Sequence, residues 1–159
     1  MTVELISSLA LAHNYEEKDR HYLATPLFLQ ALALKPTEDC HSVVLMNNLS
    51  ISLAQQTQPT ASGTPPPSRA ALVENARTWA QKAIDTAAGI KPPERNEECD
   101  MGCAVAMHNL GEFAEMNGDF DEAKRLYKEA ASLANAIGFL EGAQNSGDGY
   151  KRVGGIDRN

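Results

Sequence analysis

The sequence predicts an all-helical fold: three antiparallel helical hairpins in a row, closed by one further helix. Three observations carry this. Ala and Leu supply much of the 43% hydrophobic content while aromatics make up 6%, and such a chain, with few β-branched runs, favours helix over sheet. Apolar residues recur at helical spacing in paired segments joined by short turns. The pairs also resemble one another along the chain, the mark of an internally repeated architecture.

The first hairpin spans about residues 4–37. It resembles a known helical-repeat template with Pro36 as the terminal proline, which implies Leu11, Ala12 and Tyr15 on a first helix, a turn at 18–21, and Ala24, Phe28 and Ala31 on a second. Proline is tolerated in a first turn but breaks a helix interior, so Pro26 makes Thr25 the expected N-cap.

The second hairpin spans about 42–89 and is interrupted. VVLMNNLSISLAQQ reads as its first helix, with Leu49 and Ser50 adjacent, and ENARTWAQKAIDTAAGI as its second, with Ala76, Ala80 and Ala83 on one face. Between them, the Pro, Ser, Thr and Gly of residues 57–69 cannot hold a helix or a packed core. Pro65, Pro66 and Pro67 could serve as a proline-rich docking ligand, but an inserted surface loop is the simpler reading. A second break at 91–96, KPPERN, is a linker.

The third hairpin, about 101–136, is the clearest. Met107, Leu110, Gly111 and Ala114 line its first helix, and Phe120, Ala123, Tyr127 and Ala130 its second. Gly118 can end the first helix in a left-handed conformation. Asp119 with Glu122 three residues later reads as a capping box that opens the second. Beyond it, Leu140, Ala143, Gly147 and Tyr150 recur at helical spacing, which predicts a closing helix over about 139–152. Its glycines weaken it, each costing about 1 kcal/mol in a helix interior, and residues after Val153 are expected to fray.

These residues resemble the tetratricopeptide-repeat (TPR) family, whose repeat is about 34 residues long. With Ala104 as the first motif position, Leu110 and Gly111 match its Leu-Gly pair, and Ala123, Tyr127 and Ala130 its Ala, aromatic and Ala places. Met107, Ala114 and Asn135 depart from the usual Trp, Tyr and Pro. The first hairpin matches the same template when Pro36 is set on its terminal proline. In the second, Ser50 to Ala76 is 26 positions against about 12 in the template, so about 14 residues are extra.

The resemblance implies a right-handed superhelix whose first helices line a concave groove. The groove positions carried over are Ile6, Leu9, His13 and Glu16, then Val44, Asn47, Ile51 and Ala54, then Val105, His108, Glu112 and Glu115. The family's clamp for an acidic chaperone tail needs basic residues and asparagine where this chain has Leu9, His13, Val105 and Asn109. The implied ligand is therefore a protein partner or an unfolded segment with hydrophobic anchors and Lys or Arg, held partly by the amide of Asn47. Against this stands a plainer reading. Glu112 and Glu115 can be a solvated helix face, and His13 and Asn47 can serve local backbone.

YLATPLFLQAL and HNLGEFAEMNGDFDEAKRLYKEA, with the Pro-rich insertion between, are similar to fungal mitochondrial TPR proteins, among them the adaptor subunit of the inner-membrane i-AAA protease. This implies a domain of the intermembrane space that receives substrates for a protease or another quality-control complex, with its anchor outside this sequence. The helical pattern starts almost at Met1, so the chain reads as a segment of a longer protein. A structural role is the alternative, with the hairpins mediating assembly without peptide recognition.

Other classes fit poorly. A formal charge of -7 over 159 residues opposes non-specific binding to nucleic acid or anionic lipid. No apolar run approaches the roughly 18 residues of a membrane span, and MTVELISS lacks the features of a secretory signal. Cys40, Cys99 and Cys103 are an odd number, so a disulfide framework is not expected. An intrahelical Cys99 to Cys103 bridge or half a metal site can be imagined, but His108 beyond them finds no fourth ligand at sensible spacing, and small buried helix residues are the expected role. No catalytic motif is present, and neither cofactor nor metal is expected.

Overall fold

The computed structural model describes residues 3–18, 20–56 and 69–155, with the backbone alone for residues 3–6. Among them are seven α-helices and no strand: α1 (Val3–Glu17), α2 (His21–Leu34), α3 (Cys40–Gln55), α4 (Arg69–Gly89), α5 (Glu97–Met116), α6 (Phe120–Ala136) and α7 (Leu140–Arg152). This all-helical arrangement is consistent with a TPR-type helical repeat.

Each consecutive pair of helices packs together, and α3 also packs directly on α5. α5 in turn touches α7, so α3, α5 and α7 lie side by side. Most positions that carried the repeat pattern bury, but Leu11 on α1, 44% exposed, does not. Ala12, Ala24, Phe28, Ala31, Leu49, Ala76 and Ala80 are sealed in the larger core cluster with Leu110, Phe113 and Leu126. Alanine at these crossings matters because its small side chain lets helix axes approach closely.

A smaller cluster joins Val43 and Met46 of α3 to Ala83 and Ala87 of α4 and Ala106 of α5. It contains a covalent link that the sequence reading did not anticipate. Cys40 and Cys99 form a disulfide with Cα atoms 4.7 Å apart, leaving Cys103 as a half-buried thiol. Cys99 pairs across 59 residues with the first turn of another helix rather than with its neighbour one turn away.

Helix ends differ from expectation in instructive ways. α2 begins at His21, before Thr25, and Pro26 lies inside it. Thr25 is not the N-cap: its hydroxyl reaches the His21 carbonyl at 3.0 Å and the Ser52 hydroxyl of α3 at 3.1 Å, and it accepts from the Gln56 amide at 2.8 Å. This network ties the start of α2 to the end of α3. α4 already includes Arg69, so of the insertion at 57–69 only 57–68 lie outside the described residues. α5 starts at Glu97, several residues before the third repeat's motif, because Asn96 caps it by accepting from the Glu98 N–H at 2.9 Å and three acidic residues in its first turn suit the helix dipole.

At the third turn, Gly118 has φ +77°, and Asp119 accepts from the Glu122 N–H at 3.3 Å. The reciprocal half of the capping box is replaced. The Glu122 carboxylate binds Arg125 instead, at 2.8 Å from Nε. The reciprocal box forms at α3, where Asp39 accepts from the Ser42 N–H and the Ser42 hydroxyl accepts from the Asp39 N–H.

The closing helix presents a different face from the expected one. Leu140 is 73% exposed, whereas Ser146 and Gly149 are buried. Gly142, Ser146 and Gly149, at i, i+4 and i+7, form the stripe turned toward the third hairpin. Phe120, expected to line α6, is exposed at its first turn. Past α7 the chain turns at Gly154, and residues 156–159 lie outside the described residues.

Candidate functional site

Met101, Val105, His108, Glu112 and Glu115 recur along one face of α5. α7 lies against part of that face. Between the two helices opens a small cavity of about 140 Å³ lined by Ala104, Val105 and His108 of α5, by Phe139, and by Gly142, Asn145 and Ser146 of α7. Small residues on α7 leave the space, and Val105 with the Phe139 ring gives it an apolar wall. Met101, one turn before Val105, is 41% exposed.

The polar rim is organised around His108. One ring nitrogen lies 3.0 Å from the Ser146 hydroxyl, the other 3.3 Å from the Glu112 carboxylate, and the ring packs 5.4 Å from that of Tyr127. The Glu112 carboxylate is half exposed. Glu115 is committed within the fold. Arg152 of α7 donates to both oxygens of its carboxylate, from Nε at 2.6 Å and from Nη2 at 2.8 Å, and the Tyr127 hydroxyl donates to it at 2.6 Å. The Arg152 hydrogen bonds lower the pKa of Glu115 to about 2 despite some burial, with help from Tyr127. Burial, and then the bond to Glu115, push the Tyr127 hydroxyl up.

The other groove residues are dispersed. Asn47 is buried, and its amide donates to the Gly102 carbonyl of α5 at 2.7 Å, so its N–H₂ group bonds helix to helix. His13 pairs with Glu16 at 3.1 Å and sets its ring edge against Phe28. Leu9 and Ala54 pack against the larger core, and Val44 and Ile51 are half-buried on α3. Ile6 lies on α1, its side chain outside the described residues. The structure thus brings together Val105, His108, Glu112 and Glu115 at the α5–α7 edge.

Sequence reasoning missed the contributions of α7: Ser146, Arg152 and the Gly142 wall. A signal was present, since a glycine, a serine and a glycine at i, i+4 and i+7 mark a helix face built for close approach.

No protein-family model matches the chain. Over 124 residues it is 36% identical to a TPR repeat-containing protein of the fission yeast Schizosaccharomyces pombe, a match that covers 77% of this chain and 34% of that protein. The chain therefore spans about a third of the length of this relative. The likeness and the all-helical hairpins together support the TPR family.

Proposed function

We propose that this chain is a TPR protein-interaction module, without enzymatic activity, that takes a peptide segment carrying an apolar anchor and a Lys or Arg. The observation that carries the proposal is the apolar cavity between α5 and α7, flanked by exposed Met101 and by the half-exposed Glu112 carboxylate. An apolar anchor entering beside Val105 brings a neighbouring basic side chain to Glu112, where a charge-assisted hydrogen bond forms. Glu115 contributes less, because Arg152 already occupies it.

The finer reading is a substrate adaptor for a mitochondrial inner-membrane protease or another quality-control machine, acting in the intermembrane space. What supports it is the similarity to fungal mitochondrial TPR proteins and the presence of a relative in fission yeast.

Binding of fluorescent hydrophobic-basic peptides, followed by anisotropy, tests the module reading. The expected result is saturable binding that weakens at least tenfold in Val105→Glu and Glu112→Lys, with unfolding midpoints unchanged. Absence of binding, or binding indifferent to both substitutions, would sink it. Proximity labelling from the full-length protein in fungal cells tests the adaptor reading, which fails if no protease or chaperone subunit is recovered.

A structural assembly role has one observation in its favour: Leu140, Phe120 and Met116 leave apolar surface exposed at the C-terminal end of the array. Light scattering discriminates it. A mass that doubles with concentration, and reverts in Leu140→Glu, favours assembly.

A further inference from the structure

The geometry points to the Cys40–Cys99 disulfide as a shielded covalent staple between successive hairpins, which assigns the folded chain to an oxidising compartment. This goes beyond the peptide reading and does not rest on it.

Both cysteines lie at helix starts. Cys40 is the first residue of α3 and Cys99 lies in the first turn of α5, so the bridge joins the starts of two helices that pack side by side. A Cα separation of 4.7 Å lies within the range a disulfide spans without backbone movement. Cys40 is 1% and Cys99 0% exposed.

The linker is tied down over them. The Asn96 N–H points at Cys40 Sγ from 3.4 Å. Arg95 donates to the Ile90 carbonyl at 3.1 Å and to Asp100 at 3.2 Å from Nε. A reductant must displace this linker, or wait for the hairpins to separate, before it reaches a sulfur. Cys103, one turn beyond Cys99, is a poor internal attacker. It is half-buried, and burial raises its thiol pKa, with Arg95 and Asp100 acting in opposite directions, which keeps the reactive thiolate scarce.

Disulfides of this kind persist in oxidising compartments and are rare where glutathione holds thiols reduced. Formation needs a disulfide donor, such as oxidised glutathione or a disulfide-exchange protein. One cysteine thiolate attacks the donor and expels one thiol. The other attacks the mixed disulfide and expels the second. The two cysteines lose two protons and two electrons, and the donor disulfide is reduced to two thiols. The ring so closed takes in residues 57–68 and the linker, so it restricts the unfolded chain over a long stretch.

The test is thiol counting by mass on the purified chain equilibrated with oxidised glutathione, using a maleimide that labels free thiols. One label is expected after denaturation without reductant, on Cys103, and three after reduction, with a peptide joining Cys40 to Cys99 in the unreduced digest. Native protein in millimolar reductant should keep one label until heated toward its transition. Three labels without reductant, or a peptide joining Cys99 to Cys103, would overturn the assignment. Acid-trapping the full-length protein in its own cells must likewise give the bridged form, and a fully reduced chain there refutes the compartment. In unfolding scans, Cys40→Ser, Cys99→Ser and the double variant should lower Tm by the same amount, about 10 °C. Cys103→Ser should leave Tm unchanged and remove the last label. Unequal, additive losses in the two single variants count against a shared bridge. Peptide binding by a chain with three free thiols would refute this inference alone.

Discussion

Gly149 of α7 lies flat against the ring of Tyr127: a Cβ at that position would sit 2.8 Å from the ring's Cε1 and Cζ. Gly111 of α5 approaches the same ring, where a Cβ would meet it at 2.9 Å. The ring is wholly buried and wedged between the two helices, so it cannot give way. Gly149→Ala should destabilise by about 1–3 kcal/mol from overpacking. Gly147→Ala, in the same helix with nothing within 4 Å of its Cβ, should stabilise by up to about 1 kcal/mol. Urea unfolding of the pair checks both signs, and equal effects would contradict the packing argument.

The clamp of Arg152 and Tyr127 on Glu115 makes a pH-dependent contribution. The Glu115 pKa is about 2 in the folded chain against 4.5 ordinarily, so the folded state favours the carboxylate. Its stabilisation is fully present above about pH 4.5 and fades as pH falls through about 2. Glu115→Gln should therefore flatten the stability profile across that window, with the difference shrinking in high salt because Arg152 is exposed. Denaturant midpoints of both proteins at several pH values provide the comparison.

Asn47 holds α3 to α5 through its bond to the Gly102 carbonyl at 2.7 Å, in a site where Asn47 is 4% exposed. Asn47→Ala should cost about 1–3 kcal/mol, since it strips a partner from a buried interface. His13→Ala, on a half-exposed side chain, should change stability by no more than about 0.5 kcal/mol. Calorimetry of the two variants separates a structural Asn47 from one that serves only a ligand.

Pro26 sits inside α2 and, lacking an N–H, leaves the Tyr22 carbonyl without its helical donor. Tyr22 is 64% exposed, which lets water take that place. Pro26→Ala should raise stability by about 1–2 kcal/mol, the cost of an interior proline less the freedom it removes from the unfolded chain. Thermal unfolding measures it, and a loss of stability would show that the proline shapes the contact between α2 and α3.

Much of the fold was legible because burial repeats with the helix period. Leu110 and Tyr127 declared themselves by spacing, Phe28, Leu49 and Ala80 by their match to the repeat template, and all five are buried. Ser50 is a middle case. It replaces the family's glycine, and only the structure gives its hydroxyl a purpose, donating to the Ala76 carbonyl of α4 at 2.7 Å. The candidate site was less legible. The resemblance named the α5 face, but it could not say that Asn47 spends its amide on Gly102 or that Arg152 already holds Glu115.

By itself, then, the sequence determined the all-helical class and most of the residues that turn inward within the hairpins, because those follow from periodicity and turn chemistry a few residues apart. Tertiary structure alone decided that Cys40 meets Cys99, that α7 shows its glycine stripe rather than Leu140 to the array, and that Glu115 finds Arg152. Each depends on the register at which separate helices dock, which shape and close approach set across long stretches of chain and which no local pattern encodes.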